Sequence, residues 1–585
     1  MKNTRLKPQS LRSVCCLLFI FTACRLCSAV DFLPSDQIKP GMKGIGLSVF
    51  KGTEIEEFQA EILGVLRKVN SGQDIILARL SGAGLGVGLD EYVVVAGMSG
   101  SPVYIDGKII GAVAYAWSFQ KQPIAGITPI ADMLKMLNEN PPQKQESVLP
   151  GGNVSDKIVA THPDLGTVEF NPIITPVVLG GFSARGEERM RKILEPYGMI
   201  PIRLGSGGAG EQSEEADNLR PGSAISVPLI MGDLSAAAIG TVTYRKDDRI
   251  LAFGHPFFNA GFINMPMGGG IVYGVMPSYS RSFKLASPTR PVGSILSDRL
   301  PAIMGAYDVQ SQLVPAKIEI KIPELKEPKI FNIQIIQNDL LITSLLDEAI
   351  FEAIDNAVGF MGEVTIKVNI RGSLYDYQTP YEFNDMYYSP FSAGMISIIN
   401  RLDNLVYNGF QKVRLKEVEV KVDVMRELKV AAIRRITLSG TRFHPGDDVD
   451  VNVYLQRFGG GEYLKTFRLR IPQDARLGPA RILVEGGEGL GAPTKVPPIN
   501  FDQYFKRLQE WIPNNIISTK LIFQGDRMSM EGEELPFLPG SARGIILYGS
   551  LPGTQMVEEA VQELFATDEV IQGKTQALIM IEKEF

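Results

Sequence analysis

From residue 41 onward, apolar and polar positions alternate in short runs broken by Gly, Pro and Asp, the pattern of strands joined by tight turns. GMKGIGLSVF (41–50), FQAEILGVL (58–66) and DIILARL (74–80) predict three strands, and SGAGLGVGL then leads into a fourth apolar run, Val93 to Ala96. That run is short and β-branched, as a strand buried on both faces would be. It stops at Gly97. The sequence GMSGSP that follows puts two glycines and a proline around two hydroxyls, which suits a tight turn with outward-pointing amides. Val103–Ile105 and Lys108–Ala114 then flank Asp106-Gly107, a dipeptide that favours the two-residue type I′ hairpin because both positions need positive φ. Pro129 precedes a short predicted helix in GITPIADMLKML.

Further along, residues 141–158 and the Gly-rich tract 205–222 read as loose segments. Between them, Ser183 to Leu194 predicts a helix with Ser183 as its cap and Pro196 after it. Ile239–Tyr244 and Ile250–Phe253 predict a hairpin across Arg245–Arg249 that delivers Gly254-His255-Pro256 at a strand end. Pro315–Ile322 and Ile330–Ile336 read as strands. Ser344 opens a capping-box pattern with Asp347, and the helix it predicts ends at Gly359. Met395, Ile399, Leu402, Leu405 and Val406 form a second apolar stripe, ending at Gly409 and read as core. From about residue 421 the period becomes two, clearest at Val449, Val451, Val453 and Leu455, which predicts a sandwich. The tail from about 499 predicts a short helix after Thr554 and a final strand, ALIMIE.

Length changes this picture from one fold to several, since 585 residues exceed what a single core supports. The 59 glycines and 37 prolines agree with dominant β structure. Residues 1–29 predict a cleaved signal peptide: a basic start at Lys2, Arg5, Lys7 and Arg12, an apolar core at Val14 to Ala23, and Cys27-Ser28-Ala29 before the cut. The core is too short to span a bilayer, so no membrane span remains after cleavage. A lipoprotein anchored through Cys24 is the weaker reading, because Phe21 stands where a lipobox usually has Leu. All four cysteines, Cys15, Cys16, Cys24 and Cys27, lie in this segment. An exported chain without disulfides predicts a periplasmic or extracellular bacterial envelope protein. Removing five basic residues with the signal leaves 54 Lys+Arg (59 less 5) against 65 Asp+Glu, a charge of −11. That balance argues against nucleic acid as a partner.

Candidate chemistry is sparse. Metal-ligand spacing, a P-loop and a dinucleotide fingerprint are missing, so neither a metal nor a cofactor is expected. Ser99 in the GMSGSP turn has what an acyl-transfer nucleophile needs, an exposed oxygen and nearby amides, although the same composition fits an ordinary β-turn. His255 is one of three histidines; His162 and His444 sit in polar, turn-like contexts.

Two motifs meet in a resemblance. GMSGSPVYIDGKIIGAV (97–113) resembles the nucleophile strand of SpoIVB-type serine peptidases, and IGTVTYRKDDRILAFGHP (239–256) resembles the histidine segment of that family. GSILSDRLPAIMG (293–305) is similar to the stretch that follows it. The resemblance covers about 30–135 and 220–320. It implies a chymotrypsin-like double β-barrel, with Ser99 as nucleophile, His255 as general base and the amides of Gly97 and Ser99 as oxyanion hole. Ser101 matches a motif position without assigned chemistry and is read as support for the turn. Two departures stand out. The serine half precedes the histidine half, a permuted order, and Ser81 stands where the family has its acid. Asp90 and Asp74 are the nearest candidates for a third member.

The fold expected is therefore mainly β with α/β additions. A signal peptide (1–29) precedes a serine half (30–145), a linker or insert (146–222) and a histidine half (223–325). An α/β region (326–420), a β-sandwich-like domain (421–498) and a C-terminal α/β segment (499–585) follow. The function expected is an exported serine endopeptidase acting on protein or peptide substrates in the envelope. The alternative is a catalytically inactive, peptidase-like scaffold.

Overall fold

The computed structural model describes residues 31–69, 72–82, 94–116, 122–138, 158–162, 166–204, 213–278, 281–359, 362–391, 398–492, 497–530, 533–535, 538–548 and 555–583. The signal-peptide reading, Cys24 and Asp90 lie outside these residues. Among the described residues, no helix is long and apolar enough to cross a membrane.

Six strands form the first barrel: β1 (Lys43–Lys51), β2 (Glu54–Val69), β3 (Gln73–Gly82), β4 (Pro102–Ile105), β5 (Lys108–Ala116) and β6 (Ile124–Pro129). They pair in the order β4-β1-β2-β3-β6-β5, and β4 pairs with β5 to close the ring. Closure leaves no edge and buries one face of every strand, among them Phe58, Ile76, Leu80, Val103 and Ile110. The hairpin between β4 and β5 has φ of 48° at Asp106 and 78° at Gly107, the geometry that the dipeptide predicts.

A second ring follows: β7 (Ala224–Gly232), β8 (Ser235–Lys246), β9 (Arg249–Ala252), β10 (Gly261–Met276), β11 (Phe283–Arg299) and β12 (Ala302–Tyr307). The order β8-β9-β12-β11-β10-β7 is closed by the pairing of β7 with β8. The protein thus has the mainly β, double-barrel architecture expected of a chymotrypsin-like core. The second ring is embedded in a 13-stranded sheet that continues through Lys329–Ile336 and Leu313–Lys321 to Leu415–Met425, Val364–Leu374 and Tyr381–Ser389. The helix Ile342–Val358 packs on this extension through Leu345, Ile350 and Ile354. A C-terminal sandwich of four- and six-stranded sheets closes the chain, and its core draws on Val449, Val451 and Leu455 together with Ile517, Leu521, Ile579 and Ile581.

The two barrels meet along a seam of small residues. A Cβ added to Gly100 would lie 1.9 Å from the carbonyl oxygen of Thr241 and 2.5 Å from the amide of Phe253, so this turn of the first barrel lies directly on β8 and the end of β9. On either side, mixed clusters seal the seam. Val49 packs with Ala224, Ile239, Val272 and Ala286, and Ala112 and Met133 pack with Leu251, Ala302 and Met304.

Local pattern and structure part at four points. Val93 lies outside the described residues; of Val94–Ala96, Ala96 makes a β-bridge, to Phe283 of the second barrel, and Val94 and Val95 form no ladder. Ser344 lies inside its helix rather than capping it. The helix begins at Ile342 because burial of Leu341, Ile342 and Leu345 extends it one turn towards the N-terminus. Gln555–Ala566 is a strand, not a helix; pairing with Ile516–Met530 overrides its helix-forming Glu, Gln and Ala content. In the tract 205–222, Glu214–Asp217 forms a short helix capped by Ser213. The expected cap at Ser183 is present, its Oγ accepting from the amide of Gly186 at 3.1 Å.

Gly100→Ala is expected to destabilise the protein by several kcal/mol, about 3 or more, because backbone on both barrels must move and the φ of 98° disfavours a side chain. Gly274→Ala, where a Cβ meets nothing within 4 Å, is the control and should stay within about 1 kcal/mol in the same chemical denaturation series.

Candidate active site

The serine turn is held from outside itself. Successive carbonyls accept from the amide of Lys284 (Ala96 O, 3.0 Å), Thr241 Oγ1 (Gly97 O, 2.9 Å), Ser101 N and Oγ (Met98 O, 2.9 and 2.7 Å), the amide of Thr241 (Ser99 O, 2.9 Å) and Thr243 Oγ1 (Gly100 O, 2.7 Å). The amides of Met98, Gly100 and Ser101 are used internally, by Val95 O, Val113 O and Met98 O. Among the described residues, the amides of Gly97 and Ser99 make no hydrogen bond. They are the two that the resemblance implies for an oxyanion hole. Ser99 is fully buried, and its Oγ has no hydrogen-bond partner.

His255 follows a sharp corner. Phe253 (φ 67°) and Gly254 (φ 69°) are consecutive left-handed residues that turn the chain at the end of β9. A bulky aromatic there is strained, and the ring of Phe257, 4.6 Å away between centroids, packs against it in the core. The imidazole is buried. Its Nδ1 lies 3.0 Å from the carbonyl oxygen of Pro256, and a carbonyl only accepts, so the proton sits on Nδ1. The lone pair is therefore on Nε2, which has no partner. That is the tautomer a general base needs. Burial, opposed by the Pro256 carbonyl, pushes the imidazole pKa down to about 4, so the ring is neutral at physiological pH.

The backbone segments beside Ser99 and His255 pack near one another although 156 positions (255 less 99) separate the two residues in sequence. The carbonyl oxygen of Val113 accepts from the amide of Gly100 at 2.8 Å and stands 3.4 Å from where a Cβ on Gly254 would lie. The residue after Ser99 thus bonds to an oxygen that lies beside the residue before His255. Thr128 Oγ1 ties the same corner to the first barrel by donating to the carbonyl of Gly254 at 2.6 Å. No hydrogen bond joins the two side chains; each buries an unpaired polar atom on the seam.

Of the two carboxylates read as candidate third members, Asp90 lies outside the described residues and Asp74 stands on the first barrel. Asp74 accepts from Ser35 Oγ (2.8 Å), Arg67 (2.6 Å) and the amide of Lys68 (3.0 Å) on the first barrel, so its oxygens are occupied away from His255. Nothing in the sequence marks Asp298, although it lies in GSILSDRLPAIMG (293–305). Its buried carboxylate accepts from the amides of Phe257 (2.8 Å), Phe258 (2.7 Å) and Ala260 (3.4 Å), pinning the loop that follows His255. Burial raises its pKa to about 6 against the opposing pull of these amides.

Lys284 was also missed. Its fully buried ammonium nitrogen donates to Ser48 Oγ (2.9 Å) and Thr241 Oγ1 (3.3 Å) and lies 5.5 Å from the centre of the Phe50 ring. With no carboxylate among these partners, burial draws its pKa down to about 7. Of the remaining histidines, His444 is half-exposed beside Asp447 in the C-terminal sandwich, and the side chain of His162 lies outside the described residues.

Asp298→Asn is expected to lower stability by about 1–3 kcal/mol, because the carboxamide turns an N–H towards at least one buried backbone N–H. It should also reduce any Ser99-dependent turnover by loosening the His255 loop. A denaturation midpoint equal to wild type would overturn that role for Asp298. For Lys284, the folded protein releases its proton near pH 7 while the unfolded chain keeps it to about pH 10.5. The unfolded state thus binds more protons in that window, and stability rises with pH across it. Wild type should accordingly gain several kcal/mol (order of magnitude) relative to Lys284→Met between pH 7 and 9.5, measured by urea midpoints at both values. Parallel curves for the two proteins would contradict this.

Residues 26–134, which include the first barrel and Ser99, match the family model of the SpoIVB peptidase S55. No curated protein and no solved structure matches the chain. The match ends before the histidine corner. By it, residues 26–134, which present Ser99, are similar to the SpoIVB peptidase S55 family.

Proposed function

We propose that the protein is an exported serine endopeptidase that cleaves envelope or secreted proteins through an acyl-enzyme. Ser99 Oγ attacks the scissile carbonyl while passing its proton to His255 Nε2, and the carbonyl oxygen, now an oxyanion, takes the amides of Gly97 and Ser99. His255 then gives the proton to the leaving amine. Water, deprotonated by the same Nε2, attacks the acyl carbon, and His255 returns that proton to Ser99 Oγ as the acyl–oxygen bond breaks.

The observation that supports this reading is a set of unpaired groups on segments that pack at one inter-barrel seam. The Ser99 hydroxyl and His255 Nε2 are buried without partners, and among the described residues the amides of Gly97 and Ser99 make no hydrogen bond, whereas buried polar groups are ordinarily paired. The match to a SpoIVB peptidase model supports the reaction class. The Pro256 carbonyl supplies one part of an acid's work by fixing the tautomer, without the charge that would stabilise imidazolium. The chain order, serine barrel before histidine barrel, is then a permutation relative to the family pattern. The basic, apolar, small-residue sequence of residues 1–29 supports export.

One observation favours the second reading, a non-catalytic peptidase-like scaffold. Ser99 and His255 are both buried in this conformation, so a substrate reaches them only after the seam or its cover opens. Labelling with a fluorophosphonate separates the readings. The proposal expects the mature wild-type protein to label and both Ser99→Ala and His255→Ala to stay unlabelled. Ser99→Ala should at the same time be as stable as wild type or up to about 1 kcal/mol more stable, because it removes a buried hydroxyl without a partner. Labelling that persists in Ser99→Ala, or a folded wild type that never labels, would reject the enzyme.

A further inference from the structure

We propose that Lys284 is the positioning residue of the oxyanion hole, setting through its main chain and side chain the two peptide planes whose N–H groups would receive the developing charge. The inference rests on the reading of Ser99 as nucleophile and adds the group that aims the amides around it.

A trans peptide points its C=O and N–H in opposite directions, so fixing one fixes the other. The amide of Gly97 belongs to the peptide whose carbonyl is Ala96 O, and that carbonyl accepts from the amide of Lys284 at 3.0 Å. The reciprocal bond, Ala96 N to Ser282 O at 2.8 Å, makes the attachment a two-point one. Gly97 N–H is therefore turned away from β11. The amide of Ser99 belongs to the peptide whose carbonyl is Met98 O, held by Ser101.

The side chain decides how that second peptide is held. Ser101 Oγ gives its one proton to Met98 O, so it must accept from Ser48 Oγ, 2.9 Å away. Ser48 in turn has spent its proton and accepts from Lys284 Nζ at 2.9 Å. Thr241 Oγ1 likewise gives its proton to Gly97 O and accepts from Lys284 Nζ at 3.3 Å. An amine that only donates here stands at the head of both hydroxyl relays and gives them their direction. Without it, the Ser48–Ser101 pair can reverse, leaving Met98 O with only the Ser101 amide. The lysine stem adds a steric wall, with Cβ and Cδ each 3.3 Å from where a Cβ on Gly97 would lie. This polar array gives Ser101 a role: it is the last link between Lys284 and the Ser99 amide.

The test uses the mature full-length protein, with a fluorophosphonate probe for labelling rate and p-nitrophenyl acetate for kcat and KM. Lys284→Met keeps the stem and removes the donor; Ser48→Ala breaks one relay with a smaller change. The expected result is a fall in labelling rate and kcat of about 10²-fold for Lys284→Met, with KM within about twofold, the pattern of an interaction made only in the transition state. Ser48→Ala should fall in the same direction by less. Thermal unfolding of Lys284→Met should occur at or above the wild-type temperature, since an apolar isostere replaces a buried amine. Unchanged kcat in Lys284→Met, or a loss expressed only in KM, overturns the inference while leaving Ser99 catalytic. If Lys284→Met does not fold, an unchanged kcat in Ser48→Ala overturns it equally. A wild type indistinguishable from Ser99→Ala in both assays overturns the enzyme reading and this inference with it.

Discussion

A buried turn outside any strand ladder must find a donor for every carbonyl, and the turn that carries Ser99 finds most of them on the other barrel. Of the five consecutive carbonyls from Ala96 to Gly100, only Met98 O is satisfied within the first barrel; the rest accept from Lys284, Thr241 and Thr243. This constraint makes the serine turn a joint product of both rings. It accounts for the glycine at position 100, whose missing side chain lets the turn lie on Thr241 and Phe253. It also accounts for two buried threonines with their hydroxyls aimed across the seam.

Much of the local architecture was readable in the sequence because it is set by local chemistry. Asp106-Gly107 can hardly do anything but make a type I′ hairpin, and Ser183 followed by a helical pattern made the cap it promised. What failed depends on distant pairing. Gln555–Ala566 has a helical composition but finds an open edge at Ile516–Met530, and Val93–Ala96 reads as a strand, but Ala96, in its described part, bridges to β11 instead of to a neighbour of its own. The same division runs through the site. Ser99 and His255 stand in motifs, whereas Lys284 stands in SRSFKLASP, where nothing in the composition separates it from an exposed strand lysine. Asp298 lay within a quoted motif, yet its work is to accept three amides from a loop about 40 positions earlier, a role that spacing does not reveal.

Electrostatically, the seam holds three buried titratable groups that do not neutralise one another directly. His255 pairs with a carbonyl, Asp298 with amides and Lys284 with hydroxyls, and burial drives each towards its uncharged form. A neutral imidazole with a bare Nε2 is suited to take a proton, and among the described residues no carboxylate is hydrogen-bonded to it to stabilise the cation formed. The arrangement therefore stores stability cost in unpaired groups at the seam, as functional sites do, and compensates with closed barrels and mixed apolar clusters on either side.

The family match and the site geometry divide the chain at different places. Residues 26–134 are matched as a peptidase segment, yet the donors that shape its serine turn lie at Thr241, Thr243 and Lys284, all beyond the matched stretch. Cut from the second barrel, the first would leave the carbonyls of Ala96, Gly97, Ser99 and Gly100 without these protein donors, and water would solvate the turn in whatever conformation it preferred. The amides of Gly97 and Ser99 would lose their fixed direction with them. The conformation of the serine turn in the matched segment thus depends on residues that the match does not cover, and packing of the two barrels is what turns a glycine-rich loop into a candidate active site.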